Sequence, residues 1–379
     1  MSEIKVNSIK GVGASSAAIT VNNTDGTCTA NITNNLSNRN LIINGGMKVA
    51  QRGTSTQLLY NYAGPDRFKL DGDGGQRSTI SSDAITVDSK GQSNAYKLDV
   101  TTANASPSAG HFQLISYRFE GQDLQHLEKG TSNAKPLTLQ FWVKSPKTGV
   151  HIVELVDQSN SARHINKSYT ISSANTWQKV EITFEGDTTG AITNDNARRL
   201  DLNFWLMAGS TYTSGTLQTS WGSDTNANRA VGQVNVVDNT SNEFYLTGVQ
   251  LELGSIATDF EHRSFAQELQ LCKRYYQQIN QESSSTSILT GFGNGSNRLR
   301  AVLYLPVEMR ANPTVALNVA AGNPTFYSYT GGVPTYSSLA GVESTKKNIV
   351  VDVNTSTVTA GDPYDWRGSG AFITIAAEL

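Results

Sequence analysis

The side chains best suited to chemistry are the histidines and the acids on predicted strands. The five histidines are His111, His126, His151, His164 and His262, and none of them stands in a metal-ligand spacing such as His-x-x-x-His. The acids on predicted strands are Asp99, Glu154, Asp157, Glu181 and Asp201. Two such acids can meet in a folded sheet without any sequence motif. No Gly-x-Ser-x-Gly elbow and no phosphate-binding glycine loop followed by Lys and Ser or Thr is present. We therefore expect no catalytic residues, no metal and no cofactor.

The acidic, glycine-rich stretch at residues 71–75 reads Asp-Gly-Asp-Gly-Gly. Calcium takes about six to eight oxygen ligands from a bent loop, and this stretch offers only two carboxylates. It also lacks the spaced acids and closing Glu of an EF-hand. The pattern favours a glycine-rich hairpin turn over a calcium loop.

The tryptophans point to binding. They are Trp142, Trp177, Trp205, Trp221 and Trp366. Trp142 alternates with the apolar residues of 137–143, so it should lie on the opposite face of its strand. An exposed indole can stack on a sugar ring, but a domain or subunit contact buries it just as well. The contact is favoured for Trp142, and both alternatives stay open for Trp221, which lies in a polar stretch.

Aromatic residues are also dense among small polar residues near the end of the sequence. Tyr327 and Tyr329 follow Pro324, and Tyr364 and Trp366 follow Pro363, so we predict two loops there. Together with Trp221, these four rings are the candidate receptor contacts. The alternative is that they fill the core of a small domain or its trimer interface.

The elements that must position these residues are mainly β-strands. Only 16% of the 379 residues are charged, and 33 are glycine, which favours many short strands with tight turns. Residues 1–40 hold three short predicted strands with too few apolar residues to bury a core alone, so we expect an N-terminal anchor or oligomerisation segment. Residues 41–262 should form a jelly-roll β-sandwich. Its predicted strands are 96–101, 110–119, 136–144, 151–157, 177–184, 200–207 and 242–253.

One helix is predicted between two β-regions, within residues 263–283. Ser264 can cap it, and Phe265, Leu269, Cys272 and Tyr276 fall on one helical face. We expect that stripe to pack on a β-domain or on the same helix of neighbouring chains, with the helix ending near residue 280. Residues 284–379 should form a small C-terminal β-domain, with strands at 299–307, 314–319, 348–353 and 371–376.

Several function classes are disfavoured by composition. The formal net charge is −2, whereas a nucleic-acid binder needs a basic field. No apolar run reaches about 18 residues, which disfavours membrane insertion. Residues 1–18 lack the apolar core of a signal peptide. The two cysteines, Cys28 and Cys272, are too few for a disulfide framework, so we expect two free thiols.

Several motifs resemble those of tail-fibre and appendage proteins of tailed bacteriophages, especially marine and cyanobacterial ones. The most specific is the run Phe-Tyr-Leu-Thr-Gly-Val-Gln-Leu-Glu-Leu-Gly at 244–254, followed by Ala-Thr-Asp-Phe-Glu-His-Arg-Ser at 257–264 and Cys-Lys-Arg-Tyr-Tyr at 272–276. Supporting pieces are Asn-Leu-Ile-Ile-Asn-Gly-Gly at 40–46, Ala-Gln-Arg-Gly at 50–53 and Phe-Trp-Val-Lys-Ser at 141–145. The resemblance covers most of residues 1–320, and the last sixty residues match nothing in it.

The resemblance implies a carbohydrate-binding-module-like jelly roll and no catalytic residues. It further implies a homotrimeric virion protein, made in the host cytoplasm, that joins other virion proteins through residues 1–40. Its expected role is adhesion to a host surface glycan or outer-membrane receptor. A capsid-bound knob or decoration protein is an alternative position on the virion. A glycan depolymerase tailspike is the alternative from another class, although no long internal repeat is visible.

Overall fold

The computed structural model describes residues 7–10, 12, 19–21, 28–30, 38–58, 60–86, 91–159, 162–280, 287, 289–295, 297–318, 325–328, 334, 336–367 and 372–379. Within these ranges the chain is mainly β-structure with short helices. None of the helices found there combines the length and apolar content that crossing a bilayer requires.

The N-terminal segment contributes a small antiparallel sheet. Its strands are β1 (Ser8–Ile9), β2 (Ile19–Val21) and β3 (Cys28–Ala30), in the order β1-β2-β3. Two of the predicted strands coincide with β2 and β3. Ile9 is 53% exposed in the single chain, so this sheet does not bury a core of its own.

The first domain is a sandwich of two antiparallel sheets. Its strands are β4 (Ser55–Leu58), β5 (Asn61–Tyr62), β6 (Phe68–Asp73), β7 (Arg77–Ala84), β8 (Asn94–Thr102), β9 (Phe112–Glu120), β10 (Leu137–Lys144), β11 (Gly149–Asp157), β12 (Arg163–Ile171), β13 (Gln178–Phe184), β14 (Arg198–Ala208), β15 (Gly222–Ser223) and β16 (Glu243–Leu253). The front sheet has the order β13-β10-β16-β8-β7-β4, and the back sheet β15-β12-β11-β14-β9-β6-β5. Helix α1 (Ser210–Thr213) and 3-10 helices at Gly121–Leu127 and Asn226–Asn228 lie in the connections.

Period-two alternation builds the sandwich core. Leu139, Phe141 and Val143 of β10 are fully buried between the sheets, and Phe204 of β14 meets Phe141 edge-on at a ring-centroid distance of 5.1 Å. The chain crosses repeatedly from one sheet to the other, as a jelly roll does. The predicted β-sandwich of jelly-roll type is confirmed, and the predicted strand at residues 136–144 agrees with β10.

The acidic, glycine-rich stretch is neither a hairpin turn nor a calcium loop. Asp71 and Asp73 lie within β6, and Gly74 carries the chain from the back sheet to β7 in the front sheet with a φ of +130°. The Asp71 carboxylate accepts hydrogen bonds at 3.0 Å from both Lys69 and Arg118. The Asp71 carboxylate is therefore paired with two cations of the protein itself.

The connecting helix α2 is shorter than predicted. It spans Phe265–Lys273, and the Ser264 hydroxyl accepts from the main-chain N–H of Gln267 at 3.2 Å, as the capping pattern predicted. The prediction that the helix continues to about residue 280 is wrong. Residues from Tyr276 onward instead form a strand paired with residues 372–376. That pairing partner lies nearly a hundred residues away in sequence, so helical periodicity alone does not reveal it.

The C-terminal domain contains two further antiparallel sheets. Its strands are β17 (Tyr276–Asn280), β18 (Leu289–Gly293), β19 (Arg298–Tyr304), β20 (Thr314–Asn318), β21 (Thr325–Ser328), β22 (Tyr336–Ser344), β23 (Asn348–Thr355), β24 (Pro363–Arg367) and β25 (Phe372–Ala376). The orders are β17-β25-β20 and β21-β24-β18-β19-β23-β22. A separate apolar core, which includes Phe326, Val351 and Ile375, lies between them.

A buried polar cluster joins the two domains. Glu120, at the end of β9, is fully buried and accepts two hydrogen bonds from Arg274, at 2.9 and 2.8 Å, and one from Tyr275. The Arg67 guanidinium stacks on the Tyr275 ring at 3.4 Å and pairs with Glu378 at 2.8 Å. We call Glu120, Arg67, Arg274, Tyr275 and Glu378 the junction cluster.

The last three residues lie against the first domain. The main-chain oxygen of Leu379 accepts hydrogen bonds from the Tyr62 hydroxyl at 2.9 Å and from Arg118. Arg310 binds the main-chain oxygens of Ala377 and Glu378, and also that of Asn196 in the first domain. The tail at residues 377–379 therefore contacts both cores.

Candidate functional site

The outer surface of the front sheet carries a row of long polar and aromatic side chains. Strand pairing places Lys144 of β10 beside Tyr245 of β16, and Tyr245 beside Lys97 of β8. The alternation that buries Phe244 and Leu246 in the core turns Tyr245 outward. The row therefore follows directly from the registers of three neighbouring strands.

Trp177 completes an aromatic platform at the end of this row. It immediately precedes β13, and its ring lies 6.0 Å from that of Tyr245 at an angle of 66°. The Lys144 ammonium lies 4.0 Å from the Tyr245 ring centroid and 5.4 Å from that of Trp177. Both rings are half-buried, so part of each is accessible to a ligand.

The platform borders an open depression of about 550 Å³. Its lining consists of Asp83, Ala84, Ile85, Thr86, Lys144, Trp177 and Tyr245. This volume is within the range of small-ligand sites. We call this depression, with the side chains bonded to its lining, the front-sheet site.

Two carboxylates lie within the front-sheet site. The Glu243 carboxylate accepts from the Lys97 ammonium and from the Tyr245 hydroxyl, each at 2.8 Å. Asp83 lies 3.9 Å from Lys97 and accepts from the Ser81 hydroxyl at 2.5 Å. The side chains of Glu243 and Asp83 retain 35% and 36% of their exposure.

These contacts set the protonation states of the site. Burial acts to raise the pKa of Glu243, but the hydrogen bonds from Lys97 and Tyr245 outweigh it, so that pKa lies below its usual range. Burial and the bond to Glu243 raise the pKa of Tyr245 to about 12. The hydrogen bond to Glu243 also raises the pKa of Lys97. At neutral pH the site therefore holds an ionised acid, a neutral phenol and a charged lysine.

The acids named from sequence as possible acid–base pairs lie elsewhere or are neutralised, apart from Asp99, which is half-buried on β8. Glu154 is fully buried and pairs with Arg229 at 2.6 Å. Asp157 pairs with Lys129, and Asp201 with Arg198. Glu181 is exposed beside Lys179.

Within the described part of the chain, no group of three or more His, Cys, Asp and Glu side chains could hold a metal ion.

The candidate receptor contacts of the C-terminal domain do not form one surface. The predicted loop at Tyr364 and Trp366 is strand β24, and both rings are buried in the core, with 3% and 4% exposure. Their placement as surface contacts is therefore corrected: β24 lies between two strands of a sheet whose inner face they fill. Tyr327 is 42% exposed on β21, and Tyr329 lies outside the described residues.

Trp221 lies in the first domain, far from those rings in the fold. Its indole nitrogen donates to the Glu185 carbonyl at 2.8 Å, and the buried Lys129 ammonium lies 5.6 Å from its ring. The adjoining space is only about 20 Å³, room for about one water molecule. This geometry favours packing for Trp221 over sugar stacking.

The predicted packing stripe of the helix is only partly buried within one chain. Cys272 and Tyr276 have 1% and 5% exposure, although Tyr276 belongs to β17. Leu269 is half-buried, and Phe265 is 56% exposed. Packing of Phe265 against a neighbouring chain stays a prediction. Glu268 lies on the buried side instead, where its carboxylate accepts from the main-chain N–H of Asn44 at 2.8 Å.

The front-sheet site was not predicted from the sequence. Alternation around Phe244 and Leu246 indicates that Tyr245 points outward, and Trp177 was placed at the start of a strand. The missing information was which strands are neighbours, since Lys97, Lys144 and Tyr245 come from strands far apart in sequence. Trp142 does lie on the outer face, half-buried, as its alternation predicted.

Comparisons with known proteins give a fold likeness and little more. No family model and no curated protein sequence matches the chain. Among solved structures, a putative sugar binding protein from Bacteroides thetaiotaomicron is similar over 57% of this chain and 100% of its own, with 15% identity and a TM-score of 0.30. The family 11 carbohydrate-binding module of a Clostridium thermocellum cellulase is similar over 55% and 98%, with 13% identity and a TM-score of 0.27.

A domain of a bacteriophage CBA120 tailspike protein is also similar, over 57% of this chain, with 15% identity and a TM-score of 0.30. This chain covers 21% of the tailspike chain. At these scores none of the three structures carries an argument about what the present chain binds.

Proposed function

We propose that this chain is a non-enzymatic, glycan-binding structural protein of a virion, a tail fibre or related appendage. The observation that carries the binding function is the front-sheet site. There, Trp177 and Tyr245 stand beside the partly exposed carboxylates of Glu243 and Asp83. Aromatic faces pack on the C–H face of a sugar, and ionised carboxylates accept its hydroxyls.

The virion part of the proposal rests on the sequence resemblance at residues 244–276. The expected attachment and trimerisation through residues 1–40 draw support from the exposed Ile9 of the N-terminal sheet. An apolar side chain on a sheet too small to bury it is stabilised by a partner chain.

Binding and catalysis are separated by one experiment on the full chain. The chain is applied to an array of bacterial surface polysaccharides, and reducing ends are measured in the same incubations. We expect binding without sugar release. Trp177→Ala and Tyr245→Ala should each weaken binding about tenfold, equivalent to roughly 1.4 kcal/mol. Tyr304→Ala removes a tyrosine that is 77% exposed on the other domain and should leave binding unchanged.

The outcomes are distinct. Binding that survives both front-sheet substitutions removes this site as the glycan site. Release of reducing ends would replace the non-enzymatic function with that of a depolymerase.

The oligomeric state is tested separately. The first domain has its own core, so deleting residues 1–37 should leave a folded, soluble body. We expect light scattering to give a trimer for the full chain and a monomer for the deletion variant. A full chain that is monomeric at micromolar concentration contradicts the proposal.

A further inference from the structure

The hydrogen-bond donors nearest the two acids of the front-sheet site already bond to those acids. The Tyr245 hydroxyl donates to Glu243, the Lys97 ammonium contacts Glu243 and Asp83, and the Ser81 hydroxyl donates to Asp83. The Lys144 ammonium lies over the Tyr245 ring. A ligand therefore meets few free donors around these two acids.

Acceptors, in contrast, remain available. An ionised carboxylate offers about four lone-pair positions and no donor. Each carboxylate oxygen of Glu243 accepts one hydrogen bond within the site. Oε1 accepts from Lys97, and Oε2 accepts from Tyr245. The exposed third of each acid side chain leaves the remaining positions open to a ligand.

The site carries no net positive charge. Lys97 and Lys144 stand against Asp83 and Glu243, and Asp99 is the cross-strand partner of Glu243. An anionic sugar gains little from lysines that are already engaged by acids and rings. It would also have to bring its own charge close to two carboxylates, which is unfavourable because like charges repel and lose water.

Taking the glycan-binding function as given, we infer that the front-sheet site selects neutral polyhydroxylated sugars over sugars bearing carboxylate, sulfate or phosphate groups. The hydroxyls of such a sugar donate to the remaining lone pairs of Glu243 and Asp83. Its C–H face lies on Trp177, the ring at the edge of the depression. Selection against acidic sugars then comes from the two carboxylates.

The test uses pairs of ligands that share a sugar backbone and differ in whether the carboxyl group carries a charge. Oligogalacturonate is compared with its fully methyl-esterified form, and other acidic oligosaccharides with their carboxyl-reduced forms, by calorimetric titration of the full chain. We expect the neutral member of each bound pair to bind at least about tenfold more tightly. The affinity for neutral ligands should change little between about 50 and about 500 mM salt, because no ion pair forms with the ligand.

Glu243→Gln sharpens the test because it keeps the side-chain shape. It should weaken the binding of neutral ligands about tenfold, since a ligand hydroxyl bonds more strongly to a charged acceptor than to a neutral amide. It should also reduce the ratio between the affinities for the neutral and the acidic member of each pair. The melting temperature of the variant shows whether the fold is retained, and Asp83→Asn gives a second, independent variant if it is not.

The results distinguish a failure of the neutral-sugar selection from a failure of the glycan-binding function. Tighter binding of acidic members that is lost in Trp177→Ala overturns the neutral-sugar selection while the glycan-binding function stands. Binding of neither class at the front-sheet site overturns both.

Discussion

The hydroxyl of Tyr275 donates to the carboxylate of Glu120 at 2.5 Å, across 155 residues of sequence. Glu120 ends a strand of the first domain, and Tyr275 immediately precedes the first strand of the C-terminal domain. Burial raises the pKa of Tyr275 well above its usual value, so the phenol stays protonated and keeps donating. This contact, with the bidentate bond from Arg274, fixes the two domains at one point.

Removing Glu120 should weaken the junction strongly. Glu120→Ala leaves Arg274 and the Tyr275 hydroxyl without their acceptor, and losing a buried, charged hydrogen-bond acceptor costs roughly 1.5–3 kcal/mol. Scanning calorimetry should show the loss as a lower melting temperature. Glu181→Ala is the matched control, because that acid is 51% exposed and forms a surface ion pair with Lys179. An unchanged melting temperature for Glu120→Ala contradicts the role of the junction cluster.

Replacing Trp366 should destabilise the C-terminal domain. The ring is 4% exposed and packs against Phe326 at 5.3 Å, so Trp366→Ala leaves a cavity that costs roughly 3–5 kcal/mol. Urea denaturation followed by circular dichroism measures this loss. Tyr304→Ala, in the same domain but exposed, should change stability by less than about 0.5 kcal/mol. A stable Trp366→Ala variant that no longer binds host cells would return this ring to the receptor surface.

His151 should make the first domain acid-sensitive. Its ring is fully buried and stacks on Tyr169 at 5.4 Å, and burial lowers the pKa of His151 to about 4 from an ordinary 6.5. Between about pH 6.5 and pH 4, His151 is therefore protonated in the unfolded chain but neutral in the folded one. The contribution of His151 to the free energy of unfolding is fully present above about pH 6.5. It is lost as the pH falls toward 4, by up to about 3 kcal/mol.

The measurement for this prediction is the free energy of unfolding in urea between pH 7 and pH 4. His151→Gln removes the titrating group and should flatten that part of the profile. A variant whose stability falls with pH as steeply as the parent assigns the acid sensitivity to other groups.

Cys272 should be inert in the folded protein. The thiol is 1% exposed, and burial raises the pKa of Cys272 well above its usual value, so little thiolate forms. The test variant is Cys28→Ser, which leaves Cys272 as the single thiol. Ellman's reagent should react slowly in buffer and rapidly in urea. Rapid reaction in buffer contradicts the buried position.

Local pattern was sufficient for several strands of the first domain and for the two faces of β10, although β7 and β12 were not predicted. Leu139, Phe141 and Val143 are buried where period-two alternation predicted, and Trp142 lies on the opposite face. These properties depend on near neighbours in sequence, and a strand shows its two faces within a few residues. The start of α2 was likewise predictable because Ser264 caps it locally.

Pairing between distant strands was not predictable, and both the candidate site and the main errors depend on it. Tyr276 continues a helical stripe by spacing, yet its strand pairs with β25. Trp366 is flanked by proline and glycine as in a loop, yet its strand lies between β21 and β18. The front-sheet site likewise exists only because β10, β16 and β8 are neighbours.

The tail at residues 377–379 has a mechanical consequence. A force that pulls the two cores apart does not act on the covalent connection through α2 alone. It also acts on the Glu378 bonds to Arg52 and Arg67 and on the Tyr62 bond to Leu379. Attachments at separate points also resist torque, because rotation about one of them stretches the others. The two domains should therefore transmit bending and twisting as a single stiff lever, without a swivel between them.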